Sequence, residues 1–122
     1  MTAKELLIAA RELLSDRAKW TKGVGARDSK GLPTDVDDPD AVSFCSSGAM
    51  RYLIHKQPAF DPLLREECLL LLSHAAHKVR PELVQHSDGK IWDTDYLGIN
   101  DHPAGTHADV LAMFDAAIAE AK

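Results

Sequence analysis

Two aspartate–proline pairs constrain what this chain can fold into more than any other feature. Asp38-Pro39 and Asp61-Pro62 each put a capping carboxylate before a proline at the first helical position, where the missing N–H costs nothing. On this reading they open helices from about Pro39 to His55 and from Pro62 to Val79. The first turns Ala41, Phe44 or Cys45, Gly48, Ala49 and Tyr52 inward. The second aligns Leu64, Cys68, Leu71, Leu72, Ala75 and Val79 at helical spacing. Pro58 and Pro81 punctuate their ends.

Thr2 and Glu5 have capping-box spacing, and Ala3, Leu6, Leu7, Ala10, Leu13 and Leu14 follow as one apolar stripe. Thr106 and Asp109 repeat the arrangement and open a last helix to Ala121, with Val110, Leu111, Phe114, Ala117, Ile118 and Ala121 facing in. Thr21–Asp38 is rich in glycine and charge and reads as a loop, with a short hairpin around Val24 and Thr34. It exceeds the roughly 12–15 residues beyond which loops are functional or mobile. Glu82–Gly105 is the second irregular stretch: Ser87-Asp88-Gly89 signals a turn, and Trp92, Tyr96, Leu97 and Ile99 tuck it onto the helices. The expected fold is mostly α, a compact bundle of about four helices with two long ordered loops, any β-structure being confined to those loops, with a short hairpin in residues 21–38. Residues 1–122 are read as one domain, since 122 residues suit a single core. Hydrophobic residues make up 45% of the chain and aromatics only 6%, so that core is built from Leu, Ala, Val and Ile.

The formal charge of −5 argues against a duplex nucleic-acid partner, which calls for a basic footprint. No apolar run approaches the roughly 18 residues of a membrane span. The charged, amphipathic N-terminus does not read as a signal peptide. A cytoplasmic protein with Cys45 and Cys68 reduced is therefore expected.

Cys45 is the residue most able to carry chemistry. At a helix N-terminus, with His102 or His107 as base and Asp101 behind it, it would form a nucleophilic triad. A helix starting at Pro39 puts it about two turns in, beyond the reach of the dipole. Cys45, Ser46, Gly48 and Ala49 then read as a small-residue patch crossed by another helix. His74 and His77 share a helix face and would be the start of a metal site, but no recognised zinc spacing accompanies them. "DVDDPD" lacks the glycine and glutamate of a calcium loop, and "GVGARD" lacks the strand and third glycine of a nucleotide fingerprint. No cofactor is expected. Lys19, Lys22, Arg27 and Lys30 gather around the Trp20 loop, where they suit solvent, a phosphate or a partner's carboxylates.

The segments "WTKGVGARDSKG", "DPDAVSFCSSGAM", "IND" and "HADVLAMFDAAI" resemble a family of small uncharacterised bacterial and phage proteins. Its pattern runs W-T-x-G-x-x-A-R-D, D-P-x-A-x-x-x-C-x-x-G-A, an N-D pair and A-x-V-L-x-x-F-D-x-A-I. The match spans Trp20 to Ile118. Ile99 stands where a tryptophan is common, and "PAGTHADVL" lacks an arginine often found after that glycine. The resemblance implies a compact domain without an assigned activity. It gathers Trp20, Arg27, Asp28, Cys45, Asn100 and Asp101 as one candidate cluster, beside Lys22. Arg27 is expected to bridge Asp28 or Asp101, and Asn100 to cap the last helix. The functional expectation is a non-enzymatic domain that binds another protein, an accessory factor associated with phages or mobile elements. The alternative is a cysteine-dependent hydrolase or transferase using Cys45 with His102 or His107 and Asp101.

Overall fold

The computed structural model describes residues 1–59 and 61–122. Helix α1 spans Ala3–Leu14, and its capping box forms as the spacing predicts: Glu5 N–H donates to Thr2 Oγ1 and Thr2 N–H to Glu5 Oε1. A 3-10 turn, Arg17–Lys19, follows. Strands β1 (Ala26–Asp28), β2 (Pro33–Thr34) and β3 (Ala41–Phe44) make an antiparallel sheet in the order β2-β1-β3. Helices α2 (Ser46–His55) and α3 (Pro62–Val79), a second 3-10 turn (Pro81–Leu83), and helices α4 (Asp95–Asp101) and α5 (His107–Glu120) complete the chain.

The architecture is mostly α, and it departs from the expected bundle in two places. The first is Asp38-Pro39, which opens a turn and not a helix. Asp38 Oδ1 accepts the Asp40 N–H, its Oδ2 accepts the Thr34 hydroxyl, and Ala41 N–H returns to Asp38 C=O at 2.9 Å. Aspartate followed by proline suits the first two positions of a β-turn as well as a helix start, because proline fixes the same φ in both. The chain then runs extended as β3, pairs with Ala26–Asp28, and enters α2 only at Ser46. The β-structure is thus a three-stranded sheet that reaches outside residues 21–38. The second departure is α4, a helix of two turns inside a stretch that reads as irregular. No side chain caps its start at Thr94, so the sequence carries no signal for it.

Asp61-Pro62 behaves as expected: Asp61 Oδ1 accepts the N–H groups of Leu63 and Leu64 and opens α3 at Pro62. Helix α3 packs chiefly on α5 and α4, while α1 packs on α2 and α5. Leu6, Leu7, Leu14, Met50, Leu72, Ile99, Met113 and Phe114 fill the space between them and are fully buried. Each such side chain contributes about 1.5–3 kcal/mol by leaving water. Among the described residues no helix is long and apolar enough to cross a membrane.

Candidate functional site

The sheet and the helices meet at Asn100, a fully buried side chain near the end of α4. Its Oδ1 accepts the Trp20 indole N–H at 2.8 Å, the Ser46 N–H at 3.0 Å and the Ser46 hydroxyl at 2.8 Å. Its Nδ2 donates to Thr21 C=O at 3.1 Å and Asp101 Oδ1 at 2.9 Å. A buried amide costs little only when both of its ends are paired, and here both are. One side chain thereby joins the Trp20 loop, the start of α2 and the end of α4.

The surrounding residues extend this knot. Asp101 Oδ1 accepts the Gly23 N–H at 3.0 Å. The Lys22 ammonium donates to the carbonyls of His102 and Gly105. Arg27 donates to Thr21 Oγ1, Gly31 C=O and Lys22 C=O. Trp20, Lys22, Arg27, Asn100 and Asp101 therefore share one network. Asp28 stands apart from it: its Oδ1 accepts the N–H groups of Lys30 and Leu32 and shapes the β1–β2 turn. The expected Arg27 bridge to Asp28 or Asp101 is replaced by bonds to Thr21 and main-chain carbonyls. Asn100 serves α2 through Ser46, whereas the start of α5 is closed by the predicted Thr106–Asp109 capping box.

Cys45 is the residue immediately before α2, its sulfur accepting the Gly48 N–H at 3.2 Å. The expected placement two turns into a helix is corrected by the strand at Ala41–Phe44. This position does not activate the thiol. Burial pushes its pKa up and the Asp101 charge adds to that, against the Gly48 N–H bond. Among the described residues neither candidate histidine bonds to it: His102 Nδ1 accepts the Ala104 N–H, and His107 Nε2 meets Leu14 C=O at 2.6 Å. Gly48 itself is pressed against loop backbone: a Cβ there would stand 1.8 Å from the Gly25 carbonyl oxygen. Cys68 is a second free, buried thiol, and burial pushes its pKa up to about 12.

Beside the knot opens a cavity of about 420 Å³ between the first 3-10 turn, the Trp20 loop and the start of α5. Arg17, Trp20 and Lys22 line one side, and Gly105 to Ala108 the other. The Lys22 ammonium lies 5.6 Å from the Trp20 ring centroid, and the His107 ring lies 5.5 Å from the indole. The first amides of a helix have no acceptor within it. Thr106 Oγ1 takes that of Asp109, and His107 and Ala108, at the first two positions of α5, line the cavity with the two cationic side chains. Such a surface complements a carboxylate or other oxyanion. The residue pattern points to Trp20 and Lys22; Arg17, Gly105 and Ala108 escape it, although the Thr106 capping box marks where α5 begins.

His74 and His77 do not converge on an ion. His74 is exposed, and His77 Nε2 lies 2.6 Å from Oδ2 of the buried Asp95, whose Oδ1 meets His86 Nε2 at 2.6 Å. Among the described residues no group of three or more His, Cys, Asp or Glu side chains could hold a metal. Burial alone would raise the Asp95 pKa; the bonds from His77, His86 and the Trp92 N–H outweigh it and hold the carboxyl below its ordinary range. This cluster fastens residues 86–95 to α3. Asp95 lies in a helix that carries no sequence signal, so nothing in the residue pattern marks its role.

The fold and site together describe a mostly helical domain with a small antiparallel sheet, locked by one buried asparagine beside a cationic cavity. The chain belongs to a family of unknown function, DUF6197, whose model matches residues 1–120. No curated protein and no solved structure matches it significantly.

Proposed function

We propose that this chain is a non-enzymatic binding domain that receives an acidic segment of a protein partner in the cavity between Arg17, Trp20, Lys22 and the start of α5. The cavity itself carries the reading: two cationic side chains, an indole and the first residues of α5 share one recess in a chain whose net charge is −5. Carboxylates suit the guanidinium and the helix N-terminus, and an apolar neighbour suits the indole face. The Asn100 knot supports the same reading, because it holds the walls in one arrangement before any partner arrives, which lowers the entropy lost on binding. A cytoplasmic location with free thiols accords with it, and an association with phages or mobile elements rests on the sequence resemblance. The cysteine-hydrolase alternative receives less support, since burial raises the Cys45 pKa where catalysis needs it lowered.

The test is a titration of ¹⁵N-labelled protein with a blocked Asp/Glu peptide at constant ionic strength. Saturable shifts at the Trp20 indole and the Ala108 amide, lost in Arg17→Glu, are expected. Shifts that do not saturate, or that survive the substitution, would overturn the reading.

A further inference from the structure

A second cavity, of about 250 Å³, lies between α2 and α3, with Arg51, Ile54, His55 and Arg65 in its lining. Arg51 and His55 are one helical turn apart and share a face of α2, and Arg65 comes from the early part of α3. Arg11 and Arg80 each pair with carboxylates, but neither Arg51 nor Arg65 forms an ion pair among the described residues. Both arginines thus line one recess without a counter-charge from the protein, and an anion bound there would be attracted by both. The backbone makes room for this arrangement. A Cβ on Gly25 would stand 2.2 Å from Arg51 Nη2, so the bare glycine leaves space for the guanidinium.

We propose that Arg51, Arg65 and His55 form a binding site for a phosphate group, independent of the Arg17–Lys22 cavity. A guanidinium offers two parallel N–H donors to one oxyanion, and two guanidiniums match the double charge of phosphate better than the single charge of a carboxylate. Ile54 leaves an apolar margin for whatever carries the phosphate.

The test is a titration of ¹⁵N-labelled protein with inorganic phosphate at fixed pH and constant ionic strength, with acetate as the parallel arm. Arginine Nε–H and Ile54 amide resonances report on the site. Saturable shifts at Arg51, Arg65 and Ile54 with phosphate and none with acetate are expected. Arg51→Gln and Arg65→Gln, both on exposed helix surface, should each weaken binding about tenfold, the loss of a charge-assisted hydrogen-bonded pair. Gly25→Ala removes no charge, yet should also weaken binding by displacing Arg51. An unsaturable response, an equal response to acetate, or unchanged affinity in folded Arg→Gln variants would overturn the proposal. So would shifts confined to Trp20 and Ala108, which would speak for the first cavity alone.

Discussion

Trp20 and Asn100 stand 80 positions apart in the chain and meet through a 2.8 Å hydrogen bond from the indole N–H to the amide oxygen. Through that oxygen the indole is joined to Ser46 at the start of α2. The wall of the cationic cavity and the first turn of a core helix thus share one acceptor.

Asn100→Ala should be among the most damaging single changes in the protein. It orphans the Ser46 N–H and hydroxyl in a buried place and frees the Trp20 indole. The cost should be about 2–4 kcal/mol in urea unfolding, since each buried unpaired group costs about 1–3 kcal/mol. Trp20→Phe deletes the N–H together with the pyrrole carbons, so its cost should be about 0.5–1.5 kcal/mol for the hydrogen bond plus about 1 kcal/mol for the lost contact, still below that of Asn100→Ala. Equal costs for the two would show that the amide is not the centre of the network.

Gly48→Ala and Gly25→Ala should differ sharply although the residues touch. The Gly48 Cβ would strike the Gly25 carbonyl oxygen at 1.8 Å, a clash with backbone that cannot rotate away. Roughly 3 kcal/mol or more of stability should be lost, at the upper end of overpacking costs. The Gly25 Cβ meets only the tip of Arg51, so its cost should remain under about 1 kcal/mol. Thermal unfolding of the two variants checks the ranking.

Cys45 should react slowly with iodoacetamide in the folded protein and rapidly in urea, because burial both shields the thiol and raises its pKa. Cys45→Ser should retain the cap on α2, and Cys45→Ala should cost about 0.5–2 kcal/mol, the usual loss of an N-cap. Fast alkylation below neutral pH in the folded state would revive the nucleophile reading.

Asp95 ties the fold's stability to acid. Burial works against its charged form, but His77, His86 and the Trp92 N–H more than offset this, so its folded pKa lies below the unfolded one. A depressed carboxyl pKa contributes stability that is present above the unfolded pKa and lost as pH falls through the folded one. Wild type should therefore exceed Asp95→Asn most at neutral pH, and the gap should narrow as pH drops below the ordinary carboxylate range. A constant gap across that window would contradict the assignment.

Much of the helical framework is legible in the sequence because its signals are local. Thr2–Glu5, Asp61-Pro62 and Thr106–Asp109 each act within one turn, and α1, α3 and α5 begin where these residues say. Asp38-Pro39 misleads because a turn and a helix start ask the same of aspartate and proline; pairing of β3 with β1, a long-range contact, decides between them. The site is less legible. Trp20, Asn100 and Asp101 stand out through family resemblance, but the bond from Asn100 to Ser46 spans 54 positions and has no local signature. The convergence of Arg51 with Arg65 likewise depends on how α2 and α3 lie together.

The most direct test of the binding reading places a photo-crosslinking amino acid at Ala108, an exposed residue lining the cationic cavity, in the protein expressed in its own host. The same group at Leu63, exposed on α3, serves as the reference. The account predicts a discrete protein adduct from Ala108, absent from Leu63, competed by an acidic peptide and abolished by Arg17→Glu. No adduct from Ala108, or one indifferent to Arg17→Glu and the peptide, would contradict it.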